Sequence, residues 1–134
     1  VLPILHLNEY KISSATIYGC CKNEELVYLF NGMGCKVRFV EDMNDMDADM
    51  AASVEWAVSE IRHIQQAARE GHPIFKPKWP LLIVRSPKGW GGVKVLHGKQ
   101  IEGSFRSHGI PLQEPNKDAE EFSKLEAWLR SYKV

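Results

Sequence analysis

An unbroken aliphatic run at residues 81–84, Leu-Leu-Ile-Val, constrains the fold more than any other feature of the sequence. A strand with one face in water alternates apolar and polar residues, whereas this run is apolar at every position. It is typical of a central strand in a parallel sheet, because helices cover both faces of such a strand. Two further short strands are predicted at Ile4–Leu7 and Cys35–Val40. The chain therefore has the apolar segments for a small parallel sheet.

Helical patterns separate and follow these strands. Asn23 is predicted to cap a helix that runs to about residue 33, with acidic residues in its first turn. A longer helix is predicted at about residues 48–70, where apolar side chains recur at helical spacing, and a third at about residues 117–132. This order predicts an α/β fold, with an open, mostly parallel sheet and helices on both faces, in a single domain over residues 1–134.

Composition narrows the class of protein. Lys and Arg together number 17, as do Asp and Glu, so no net charge attracts nucleic acid or an anionic membrane. No apolar run approaches the ~20 residues that cross a bilayer, and the 3 cysteines lack the spacing of a disulfide framework or a zinc site. We expect a cytoplasmic protein with no nucleic-acid and no membrane partner. The start of the sequence inside an apolar strand predicts a segment cut from a longer chain.

Ligands of open α/β sheets bind beyond the carboxyl ends of the strands. Residues 8–12 follow the first predicted strand, and residues 86–111 follow the third. The second segment is a long, glycine-rich loop without periodicity, and loops of that length in compact domains usually have a function. Within this loop, His97 is assigned to a turn with Gly98 and to no site. We therefore expect the functional residues in these two segments.

Three side chains in these segments could carry chemistry. The amide oxygen of Asn8 would suit a hard cation such as Mg²⁺; the alternative is that Asn8 closes a turn on its own backbone. Lys88, between Pro87 and Gly89, could offer a point charge to a phosphate or an oxyanion; the alternative is a solvated loop lysine. His108 could transfer protons near neutral pH; the alternative is a structural or exposed histidine. Lys88 and His108 together favour a site for an anionic substrate.

Read together, these segments resemble the phosphoketolase family of thiamine-diphosphate enzymes, which are relatives of transketolase. The most specific strings are Leu-His-Leu-Asn at residues 5–8 and Phe-Arg-Ser-His at residues 105–108. Further matching positions are Val1-Leu2-Pro3-Ile4, Tyr10-Lys11-Ile12, Phe39-Val40-Glu41, Trp79-Pro80, Arg85, Pro87-Lys88-Gly89-Trp90, Glu102-Gly103, Leu125-Glu126 and Trp128-Leu129-Arg130-Ser131-Tyr132. The resemblance covers nearly the whole chain.

The resemblance implies a partial thiamine-diphosphate-binding fold, an internal segment of the N-terminal cofactor-binding domain. Asn8 falls where such enzymes close a Gly-Asp-Gly…Asn motif on the Mg²⁺ that bridges the diphosphate, and the backbone carbonyl of Tyr10 would be a further metal ligand. Lys88 and His108 match the basic pair that lines the pocket. His108 would transfer a proton to substrate oxygens or hydrogen bond to them, and Lys88 would stabilise negative charge on the intermediate or on phosphate.

The reaction so implied cleaves xylulose 5-phosphate or fructose 6-phosphate with inorganic phosphate to acetyl phosphate and a shortened aldose phosphate. The enzyme would be an aldehyde-lyase of carbohydrate metabolism that acts as a homodimer. The Gly-Asp-Gly half of the metal motif and the glutamate that activates the aminopyrimidine lie outside the sequence, so this segment alone is expected to be inactive. The alternatives are a transketolase-like ketol transfer and a non-catalytic α/β binding module.

Two departures from the family pattern stand out. Glu9 replaces the glycine that the family usually has between Asn8 and Tyr10, where an acid beside the diphosphate would add repulsion. Residues 91–93, Gly-Gly-Val, replace the commoner Thr-Gly-Pro. Neither change alters a matched site residue.

Overall fold

The computed structural model describes residues 1–132, which form two compact units. The first unit comprises Val1–Leu7 and Cys21–Ser86, and the second comprises Asn8–Cys20 together with the described residues from Pro87 onward. The chain thus leaves the first unit twice, after Leu7 and after Ser86. The predicted single domain over residues 1–134 stays a prediction.

A three-stranded parallel sheet forms the centre of the first unit. Its strands are β1 (Ile4–Leu7), β2 (Cys35–Val40) and β3 (Trp79–Arg85), and β3 lies between the other two. The strand predicted at residues 81–84 is therefore the central one, and its Leu82 and Ile83 are fully buried. The predicted parallel sheet is confirmed.

Two helices, α1 (Asn23–Gly32) and α2 (Met46–Arg69), cover opposite faces of this sheet. Leu26 of α1 packs in a core cluster with Leu81 and Ile83, against which Val37 and Phe39 are also packed. Arg38 lies between those last two residues on β2, and its Nε donates to the Ser53 hydroxyl of α2 at 2.8 Å. Successive side chains of a strand point to opposite faces, so α1 and α2 lie on different sides. The predicted α/β fold, with helices on both faces, is confirmed.

The start of α1 differs from the prediction. Lys22 is the N-cap, and its backbone N–H donates to the Glu25 carboxylate at 2.7 Å. Asn23 is the first helical residue, and its side chain instead donates to the Glu41 carboxylate at 3.1 Å and accepts from Arg85 Nε at 2.8 Å. The predicted cap was wrong because tertiary hydrogen bonds to Glu41 and Arg85 occupy the Asn23 side chain.

The second helix begins two residues earlier than predicted. It starts at Met46 and is capped by Asp45, whose carboxylate accepts a backbone N–H of the first turn at 3.1 Å. Asp49, in the same turn, accepts the backbone N–H groups of Glu41 and Asp42 at 2.9 and 3.1 Å. The acidic connection before α2 is therefore ordered by the carboxylates of Asp45 and of Asp49 in the first turn of the helix.

The second unit contains a hairpin of β4 (Val95–Leu96) and β5 (Lys99–Gln100), a 3-10 turn at Phe105–His108 and the helix α3 (Ala119–Ser131). The segment predicted as an irregular loop thus contains regular elements. They escaped prediction because strands of two residues have no measurable period. No helix in the described part of the chain has the length and apolar character to cross a bilayer.

Candidate functional site

The segment after β1 folds into a tight turn that begins at Asn8. The backbone N–H of Tyr10 donates to Asn8 Oδ1 at 3.3 Å, so the asparagine closes a turn on its own backbone. Between them Glu9 has φ of 73°, in the left-handed region that favours glycine. The glycine that the phosphoketolase pattern has at this position would adopt this φ without a steric cost.

Close packing fixes this turn. The carbonyl of Glu9 accepts the backbone N–H of Thr16 at 2.8 Å, and Lys11 N–H donates to Ser14 O at 2.7 Å. A Cβ added at Gly19 would lie only 2.8 Å from the Cα of Glu9, so no other residue fits there without movement. The turn therefore holds its backbone carbonyls in a defined direction.

Two of those carbonyls bind the side chain of Lys88. Its Nζ lies 3.1 Å from Tyr10 O, 2.8 Å from Lys11 O and 3.2 Å from His108 Nδ1. An ammonium has three N–H donors, and all three have a partner here. Lys88 is only 7% exposed, and no carboxylate of the described residues pairs with it. A buried positive charge offset by neutral acceptors alone suits an incoming anion.

The backbone around Lys88 requires glycine. The carbonyl of Lys88 accepts the backbone N–H of Gly103 at 2.7 Å. Gly89 has φ of 75°, and a Cβ added there would lie 2.5 Å from the Cβ of Ser107. Ser107 is the neighbour of His108, so this close approach sets the distance between the two basic residues.

His108 is exposed and meets Lys88 through Nδ1. Because an ammonium only donates, Nδ1 is the acceptor in this contact, and the ring proton then lies on Nε2. The ring is then ready to donate a hydrogen bond from Nε2 to a substrate oxygen.

The donor set fits the metal that the family resemblance implies. Asn8 Oδ1 and Tyr10 O are both hard oxygen ligands, as Mg²⁺ requires, and they lie on one turn. Each accepts one hydrogen bond, from Tyr10 N–H and from Lys88 respectively, and each oxygen retains a second lone pair. The ammonium of Lys88 on the Tyr10 carbonyl would oppose a bare cation there, so an anion must accompany the metal.

All four predicted site residues lie in the second unit. The structure brings Tyr10, Lys88 and His108 into direct contact, and Asn8 joins them through its bond to Tyr10. Sequence reasoning missed Lys11, because its contribution is a backbone carbonyl that no side-chain pattern reveals. The roles assigned to these residues stay predictions.

The structure is thus an α/β fold with a parallel sheet, and the glycine-rich segment after β3 places the buried Lys88 beside His108. A family model described as the XFP N-terminal domain matches residues 1–134. Proteins named probable phosphoketolase are similar over nearly the whole chain. Identity is 47% to the one from Schizosaccharomyces pombe over 98% of this chain, 47% to the one from Rhodopirellula baltica over 99%, and 45% to the one from Clostridium acetobutylicum over 99%.

The chain belongs to the XFP N-terminal domain family, and the resemblance to phosphoketolases is confirmed. It spans 16% of the length of the Schizosaccharomyces pombe relative and 17% of the other two.

Proposed function

We propose that the full-length protein is a phosphoketolase that depends on thiamine diphosphate and Mg²⁺. It would cleave xylulose 5-phosphate or fructose 6-phosphate with inorganic phosphate and release acetyl phosphate and an aldose phosphate. The names of the relatives support this class of reaction. The single geometric observation that supports it is the buried ammonium of Lys88, which has no carboxylate partner among residues 1–132 and contacts His108 at 3.2 Å.

The residues after β1 would hold the cofactor. Asn8, through its side-chain oxygen, and Tyr10, through its carbonyl, would bind the Mg²⁺ that accompanies the diphosphate. Thiamine diphosphate, when bound, would supply the nucleophilic carbon of the reaction. The remaining ligands would come from other parts of the full-length protein, and its dimer partner would complete the site.

Lys88 would stabilise negative charge on the substrate through its electrostatic field, because its three N–H groups already have acceptors, and His108 would hydrogen bond to a substrate oxygen. Lys88 is held by backbone carbonyls, so its charge is already in place before negative charge develops, and little reorganisation is needed. His108 would donate from Nε2 to a substrate oxygen and would hold or transfer that proton during bond cleavage.

The test measures acetyl phosphate formation by the full-length protein with thiamine diphosphate, Mg²⁺, phosphate and each sugar phosphate. Lys88→Met keeps the length of the side chain and removes the charge, and we expect turnover to fall by about 100-fold or more. His108→Gln removes the proton-transfer group, and a fall of roughly 100-fold or more is expected. Lys124→Met and His63→Gln change exposed residues on helices and should leave turnover unchanged.

Two outcomes would contradict the proposal. Wild-type turnover in both Lys88→Met and His108→Gln would show that these residues do not carry the reaction. Ketol transfer to an aldose phosphate acceptor, with no acetyl phosphate formed, would assign the protein to the transketolase-like alternative instead.

A further inference from the structure

A second group of titratable side chains lies in the second unit, between the β4–β5 turn and the start of α3. His97 Nε2 is 3.1 Å from Asp118 Oδ2, and His97 Nδ1 is 3.0 Å from Glu120 Oε2. One ring nitrogen of His97 and one carboxylate oxygen each of Asp118 and Glu121 lie within 4.8 Å of one another. Neither the family match nor the basic pair at Lys88 accounts for this group.

Glu121 supplies the observation that points to a ligand. It is only 9% exposed, and one of its oxygens accepts the backbone N–H of Glu114 at 2.7 Å. Within residues 1–132 no hydrogen bond reaches its other oxygen. A carboxylate in a largely buried residue is stabilised when its charge is matched, so a cation on this second oxygen would stabilise Glu121.

The other members of the group are already oriented as metal ligands are. Asp118 Oδ1 accepts the backbone N–H groups of Glu120 and Glu121 at 2.9 and 3.1 Å, which leaves Oδ2 turned to His97. Glu120 accepts from His97 Nδ1, in the manner of the outer carboxylate that holds a metal-bound imidazole. The carboxylates of Asp118, Glu120 and Glu121 surround the single imidazole of His97, so acidic groups outnumber basic ones in this group.

We propose that His97, Asp118 and Glu121 bind one Zn²⁺. Imidazole nitrogen together with carboxylate oxygen suits Zn²⁺ rather than Mg²⁺ or Ca²⁺, which take oxygen ligands. Tetrahedral zinc holds its ligand atoms roughly 3.4 Å apart, close to the separation of His97 Nε2 and Asp118 Oδ2. Water would take the fourth position, and the metal would replace the proton between His97 and Asp118. The site would join the hairpin to the start of α3.

The test titrates Zn²⁺ into chelator-treated full-length protein by calorimetry, with Mg²⁺ in excess. We expect one strong site per chain, weakened at least tenfold in His97→Gln and in Glu121→Gln. Glu121→Gln retains an oxygen for the N–H of Glu114, so it tests ligation with little change of packing. His63→Gln, on an exposed face of α2, and His108→Gln, in the basic pair, should bind Zn²⁺ as the wild type does.

Two further readouts do not depend on the variants folding well. Zn²⁺ should raise the unfolding temperature of the wild-type protein, and Co²⁺ in its place should give the visible absorption of tetrahedral nitrogen and oxygen ligation. Absence of a strong wild-type site, or equal affinity in His97→Gln and the wild type, would overturn the proposal and leave His97 as an ion-pair partner only. The test is independent of acetyl phosphate formation.

Discussion

Replacement of Glu9 by glycine should stabilise the turn that carries Asn8 and Tyr10. Glu9 has φ of 73°, and the left-handed conformation costs a non-glycine residue about 1–2 kcal/mol. Glycine removes that cost, but it loses about 0.5–1 kcal/mol more backbone entropy on folding. The difference between these two effects predicts that opening the turn costs about 0.5–1 kcal/mol more in Glu9→Gly than in the wild type.

Hydrogen exchange measures this local gain in the full-length protein. The backbone N–H of Thr16 donates to Glu9 O at 2.8 Å, so its exchange requires the turn to open. In Glu9→Gly this amide should exchange about 2–5-fold more slowly, which is the same free energy expressed as an equilibrium constant. Glu9→Ala keeps the strain and should show little gain.

A matched control separates strain relief from the general effect of glycine. Glu70 has φ of −80°, which any residue adopts, so Glu70→Gly should accelerate exchange of nearby amides. If Glu9→Gly accelerates the exchange of Thr16 as Glu70→Gly does for its own neighbours, the positive φ at Glu9 carries no strain and the reasoning fails.

Two further predictions concern Gly89 and Asp49. In Gly89→Ala the new Cβ would lie 2.5 Å from the Cβ of Ser107, so acetyl phosphate formation should fall. The control is Gly91→Ala, because Gly91 has a similar φ but open space around it, and its loss should be severalfold smaller. Equal losses in the two variants would contradict this prediction. The backbone N–H groups of Asp42 and Glu41 hold the pKa of Asp49 below its usual value, so the unfolded chain takes up this proton first as pH falls. The stabilisation is complete at neutral pH and is lost as pH falls from about 4 through the folded-state pKa. Urea unfolding at a series of pH values should show that Asp49→Asn removes this part of the pH dependence of the free energy of unfolding. An unchanged pH dependence in Asp49→Asn would refute the prediction.

The sheet was predictable because β3 is apolar at successive positions, β2 alternates apolar and basic residues, and β1 is apolar apart from His6. The starts of the helices were harder to predict from the sequence. Asn23 has good capping chemistry, yet Arg85 and Glu41 occupy its side chain, and such partners appear only in three dimensions. The hairpin at residues 95–100 was missed because a two-residue strand carries no periodicity.

The predicted site residues show a similar division. Lys88 and His108 were found because their side chains carry the chemistry. The carbonyl of Lys11 and the approach of Gly89 to Ser107 depend on the path of the backbone, so they could not be predicted from the sequence. The four carboxylate and imidazole side chains near α3 are spread over residues 97–121, so their proximity depends on the path of the chain between them.

The bond between Lys88 and Tyr10 also bears on how the protein folds. It joins residues 78 positions apart, and the 66 residues from Cys21 to Ser86 between them belong to the other unit. Closing so long a segment while it is disordered costs chain entropy that the contact must overcome, and contacts of high sequence separation form slowly. We therefore expect the basic pair to assemble late in folding, so that substitutions that slow the pairing of β1, β2 and β3 also delay the appearance of activity.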